Sequence, residues 1–64
     1  MLESYKTMDI NMLLSIVNMK LRNEKESLQD FCITYQIDEQ ALIERFNTNH
    51  LHYDATQNQF KQDE

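Results

Sequence analysis

A mainly α fold is predicted: three helices in a helix-turn-helix-like arrangement, closed by a small C-terminal β-hairpin. Three observations predict it. Asp9, Ser27 and Asp38 each stand before a run with apolar residues at helical spacing, and these residue types are preferred N-caps. The apolar period then shortens at His50-Leu51-His52-Tyr53, where polar and apolar residues alternate as in a strand. The 64-residue chain is also long enough for only one core.

Residues 1–8 read as an arm, 9–49 as three helices, 50–61 as a hairpin and 62–64 as a fraying tail, all one domain. The first helix starts at Asp9, with Met8 and Leu13 as the two halves of a hydrophobic staple. It runs to about Asn23. Ile10, Leu13, Leu14, Val17 and Leu21 form its core stripe. A second apolar stripe, Met12, Ile16 and Met19, lies nearly opposite. A helix apolar on two faces is buried on two faces. The second stripe must therefore meet the arm (Leu2, Tyr5, Met8), a later element or another chain. Between the stripes runs a polar line, Asn11, Ser15, Asn18 and Arg22. Such a line is a solvated face or a hydrogen-bonding surface for a partner.

Ser27 followed by Asp30 approximates a capping box and opens the second helix, which stops near Tyr35 or Gln36. Its apolar side is Leu28, Phe31, Cys32 and Tyr35. Asp38 opens the third, stapled by Ile37 and Leu42, with Ala41, Leu42 and Phe46 inward. Asn47 and Asn49 can end it in the left-handed conformation. Gln59-Phe60-Lys61 returns as the second strand. The chain has no Gly and no Pro, so its turns are expected to rely on Asn and Asp.

The run Ser27–Phe46 has the layout of a helix-turn-helix, with small Cys32 where two helices approach closely and Gln36 near the place where Gly is usual. With the preceding helix and the hairpin it resembles a shrunken winged helix. A DNA-binding version would present Arg, Lys, Asn or Gln from the start of its second helix. Here that helix offers Asp38, Glu39, Gln40, Ile43, Glu44 and Arg45. Across residues 27–49 four acids (Asp30, Asp38, Glu39, Glu44) stand against Arg45, a net −3. The whole chain carries −5, which repels phosphate. The other basic residues, Lys20, Arg22 and Lys25, sit where cations complement the end of the first helix, interleaved with Glu24 and Glu26.

Catalytic chemistry is not marked. His50 and His52, with Asp54 nearby, lack the ligand number and spacing of a metal site. Cys32 falls on the apolar side of a short helix with no paired base, so a buried small residue is the simpler reading. A glycine-rich phosphate loop is impossible without Gly. The expectation is a non-enzymatic protein with no cofactor, no metal and no small-molecule substrate. One cysteine, no signal-like apolar segment and no apolar run near the about 20 residues of a membrane helix point to a cytoplasmic protein.

The run Met12–Asn23, together with Ser27-Leu28, Cys32, Ile37-Asp38, Leu42, Tyr53-Asp54 and Asn58-Gln59-Phe60, resembles a short, uncharacterised bacterial family, domain of unknown function 4250. The similarity spans most of Met8 to Lys61. The chain departs from the pattern at Asn23, where an acid is expected, and at His50, near which a Gly is expected. The resemblance implies domain limits and no assigned activity. Its polar signature residues here include Ser15, Asn18, Lys20 and Arg22.

The leading functional expectation is a helix-turn-helix-like module that binds another protein or itself. Its candidate surface is Met12, Ser15, Ile16, Asn18, Met19, Lys20 and Arg22, with a possible homodimer through the first helix. The alternative is a winged-helix DNA-associated regulator contacting nucleic acid through Lys20, Arg22, Lys25 and Arg45. An accessory structural subunit is a third possibility.

Overall fold

The computed structural model describes residues 2–63. A short 3₁₀ turn, Leu2–Ser4, leads into α1 (Ile10–Glu24), α2 (Leu28–Thr34), α3 (Glu39–Thr48), β1 (Leu51–Asp54) and β2 (Gln59–Gln62). Each helix begins at the cap that its sequence marks. The Asp9 carboxylate accepts from the Met12 N–H (3.1 Å), the Ser27 hydroxyl from the Asp30 N–H (3.1 Å), and the Asp38 carboxylate from the Gln40 and Ala41 N–H groups (3.0 and 3.3 Å). These bonds satisfy donors that the first turn of a helix leaves without intrahelical partners.

The helix ends depart from expectation. Among the described residues four have positive φ: Lys25 (54°), Gln36 (57°), His50 (64°) and Asn58 (54°). Only one of them is an Asn. Gln36 occupies the usual Gly position of a Schellman motif: its N–H reaches Ile33 O (3.2 Å) and the next N–H, of Ile37, reaches Cys32 O (2.8 Å). The expected left-handed Asn47 or Asn49 is replaced by His50, one residue later. Asn49 instead has φ −101° and caps α3 with its side-chain amide, which donates to Arg45 O (2.9 Å). His50 thus takes the left-handed conformation at the site where the family resemblance calls for Gly.

The two strands pair antiparallel, with Tyr53 opposite Phe60 and Asp54 opposite Gln59. The connecting turn is organised by Asp54, whose carboxylate accepts from Thr56 N–H (2.9 Å) and Gln57 N–H (3.4 Å). A two-stranded hairpin is marginal alone, and this one leans on the helices. Phe60 is buried against Phe46, with ring centroids 4.3 Å apart, and Tyr53 covers its other side at 5.3 Å. Leu13, Val17 and Leu21 of α1, Leu28, Phe31 and Cys32 of α2, and Leu42 and Phe46 of α3 join Phe60 in the core, with Ile37 and Leu51. Each of the large side chains contributes about 1.5–3 kcal/mol by burial.

Within the arm, Tyr5 docks on α3, and Met12 and Met19 of the second stripe of α1 stay exposed. Tyr5 is buried; its hydroxyl accepts from the Asp38 N–H (3.2 Å), and its backbone carbonyl accepts from Arg45 Nη1 (2.8 Å). The arm is therefore tied to both ends of α3. Met8 packs half-buried on the core.

Candidate interaction surface on the first helix

The seven residues singled out on α1 divide by what they touch. Asn18 is half-buried and turned to the hairpin. Its Nδ2 donates to Phe60 O (3.0 Å) and its Oδ1 accepts from Phe60 N–H (2.8 Å), so one amide occupies both backbone groups on the outer edge of β2. Gln59 answers by donating Nε2–H to Asn18 O (3.0 Å). Asn58 adds a third tie: its Nδ2 donates to Glu26 O (2.7 Å) and Leu21 O (3.4 Å), while its Oδ1 accepts from the Tyr53 hydroxyl. The hairpin is thus fastened to α1 by three side-chain amides. The polar line read as one continuous face is broken at Asn18, because that position points to the sheet edge.

Lys20 turns to the opposite flank. Its Nζ donates to the Tyr35 hydroxyl (3.3 Å) and lies 4.8 Å from the centre of the Tyr35 ring, and that hydroxyl donates to Glu24 Oε2 (2.7 Å). This cluster joins α1 to the end of α2. Ile16 is half-buried and packs on the core. What remains outward is Met12 at 56% exposure and Met19 at 43%, two turns apart on one helix, with Ser15, Arg22 and Asn11 exposed beside them.

Two features escaped the sequence reading. Among the described residues Ile33, on α2, is the most exposed of the large apolar side chains at 68%; its position within an apolar-looking helix gave no signal. The hairpin fastening by Asn18, Asn58 and Gln59 also had no local pattern, since its partners lie 32–42 residues away.

The four basic candidates do not converge. Lys20 is engaged by Tyr35 and Arg45 by the arm, while Arg22 and Lys25 are exposed at the end of α1. Asp38, Gln40 and Glu44 are exposed along α3.

His50 and His52 also separate. His50 forms the turn into β1, and exposed His52 places Nδ1 2.6 Å from the Asp63 carboxylate. Asp54 is taken up by its turn and by Lys61 Nζ at 3.4 Å. Burial works against the Asp54 charge, yet the bonds from Gln57, Lys61 and Thr56 outweigh it and hold the carboxyl below its ordinary range. Among the described residues no three His, Cys, Asp or Glu side chains gather as metal ligands. Burial, reinforced by Glu39 and Asp38, pushes the Cys32 thiol up to about 11. It stays protonated at neutral pH and therefore lacks the thiolate that nucleophilic chemistry needs. A shallow, open depression of about 310 Å³ lies between the arm and α3, lined by Tyr5, Lys6, Ala41, Glu44, Arg45 and Thr48. Among the described residues no helix is long and apolar enough to cross a membrane.

Fold and surface together define a small three-helix domain with a C-terminal hairpin, whose first helix leaves Met12 and Met19 exposed. The chain belongs to the family described as Domain of unknown function (DUF4250), whose model matches residues 7–60. No curated protein and no solved structure matches the chain.

Proposed function

We propose that this protein is a non-catalytic interaction module whose working surface is the outer face of α1. One observation carries the reading: Met12 and Met19 stay exposed on the same face while the arm, the element free to cover them, is spent on α3. Met is flexible and polarisable, and suits surfaces that receive a partner. Ser15 and Arg22 supply the polar border of such a surface. Asn18 and Lys20 act behind it, holding α1 to the hairpin and to α2. The protonated, buried Cys32 fits a non-catalytic role, and a single thiol without disulfides suits a reducing, cytoplasmic setting. The DNA-associated reading draws less support, because two of its four basic residues are bound within the fold and α3 exposes acids.

The test is photo-crosslinking in the native host, with a benzophenone amino acid at position 19 and, as control, at exposed Gln40 on α3. A discrete heavier protein band from position 19 alone is the expected result. No band from position 19, or equal bands from both, would refute the surface. Met12→Lys should abolish the band without altering stability by more than about 0.5 kcal/mol, as befits an exposed site.

A further inference from the structure

We infer that the depression between the arm and α3 is a binding site for a small monocarboxylate. None of its lining residues belongs to α1, so the inference stands apart from the interaction surface proposed above. Ala41, Glu44, Arg45 and Thr48 recur at helical spacing along one face of α3, and the short side chain of Ala41 leaves room there. Tyr5 forms the opposite wall. It is held at two points, its hydroxyl accepting from the Asp38 N–H (3.2 Å) and its carbonyl from Arg45 Nη1 (2.8 Å). The volume, about 310 Å³, is at the lower end for ligand sites and fits only a small molecule.

Charge selects the ligand. Lys6 and Arg45 both line the depression, and among the described residues neither forms an ion pair, although Glu44 lines it too. Two unpaired cations side by side are unexpected in a chain with 11 acidic and 6 basic side chains. Arg45 is anchored through one N–H on Tyr5 O, and its remaining side-chain donors have no partner among the described residues. A guanidinium so held offers the planar fork that a carboxylate accepts bidentately. Lys6, with Nζ 5.9 Å from the centre of the Tyr5 ring, supplies a second positive charge at the rim. Two cations against one acid leave the lining at net +1, which suits a single negative charge. Glu44 and the chain's net −5 oppose a dianion such as phosphate. Ala41 gives the carbon body of the ligand an apolar contact.

The experiment is an amide chemical-shift titration of the ¹⁵N-labelled full chain at fixed pH and ionic strength. The probes are benzoate, its neutral isostere benzamide, and inorganic phosphate. Benzoate should shift the amides of Lys6, Ala41, Arg45 and Thr48 with a Kd of about 1–10 mM, as an open site and about nine non-hydrogen atoms allow. Benzamide and phosphate should bind at least about tenfold more weakly. Lys6→Gln, at an exposed position, should weaken benzoate binding about two- to fivefold. Arg45→Lys, which keeps the charge and loses the fork, should weaken it about tenfold. Arg22→Gln, which removes an exposed cation from α1, should leave it unchanged. Retained amide dispersion verifies that each variant is folded. No shifts up to about 50 mM benzoate, well above the expected Kd, would overturn the inference. So would shifts spread evenly over all basic residues, benzamide or phosphate binding as well as benzoate, or benzoate binding indifferent to both Lys6→Gln and Arg45→Lys.

Discussion

Four side chains accept a conformation that glycine takes at no steric cost. For an L-residue the left-handed region costs about 1–2 kcal/mol. Gln36 makes this sacrifice with no side-chain bond to offset it that the structure shows, whereas Asn58 in the same conformation fastens the turn to Glu26 and Leu21 carbonyls. The two positions should therefore respond oppositely to glycine. Gln36→Gly relieves the backbone but adds about 0.4–1 kcal/mol of unfolded-state entropy, leaving a net stabilisation of about 0.5–1 kcal/mol. Asn tolerates this conformation better than Gln, so Asn58→Gly gains less relief and loses part-buried amide bonds, and it should destabilise by about 1–2 kcal/mol. Urea denaturation of both variants checks the opposite signs. The reading that turns here would depend on Asn and Asp holds for Asn58, for the Asp54-organised hairpin turn and for the caps at Asp9, Asp38 and Asn49, but not for the left-handed positions Lys25, Gln36 and His50.

At the scale of elements, the hairpin shows how a short sheet is made secure. An unpaired strand edge that is buried needs partners for its N–H and C=O groups. Asn18 supplies both to Phe60 from a neighbouring helix, doing for β2 what a third strand would do. Removing it strands two buried backbone groups at once, because Phe60 is only 2% exposed. Asn18→Ala should cost about 2–4 kcal/mol, much of the stability of a domain this size. Asn11→Ala, on the exposed part of the same polar line, should cost less than about 0.5 kcal/mol. Equal effects in chemical denaturation would show that the amide bridge does not hold the sheet. Several residues that carry the family resemblance, namely Asn18, Tyr53, Asn58, Gln59 and Phe60, meet at this junction, so that part of the resemblance has a structural explanation.

At the scale of the whole molecule, the radius of gyration is 10.6 Å, in line with about 10.7 Å for a single folded domain of this length. The basic candidates are dispersed: Lys20 and Arg45 are engaged within the fold, and Arg22 and Lys25, at the end of α1, are interleaved with Glu24 and Glu26. Fluorescence anisotropy of mixed-sequence duplex DNA should therefore show no binding at physiological salt with protein up to about 100 μM, weaker than ordinary non-specific DNA binding. Tight, salt-sensitive binding would reverse the ranking of the two functional readings.

By itself the sequence determined the three helices with their caps, the position of the hairpin and most of the core, because caps and apolar periods act between residues close along the chain. It marked α1 as apolar on two sides for the same reason. Only the tertiary structure decided which of those sides is covered. Tyr5 reaches α3 through bonds to Asp38 and Arg45, 33 and 40 residues away, and no local pattern encodes such a choice. The same holds for Asn18, which looks solvent-facing in its own helix and becomes part of a sheet once β2 arrives. Met12 and Met19 remain exposed while Tyr5 docks on α3 and the hairpin fastens to α1 at Asn18, an outcome that exists only when all the elements pack together.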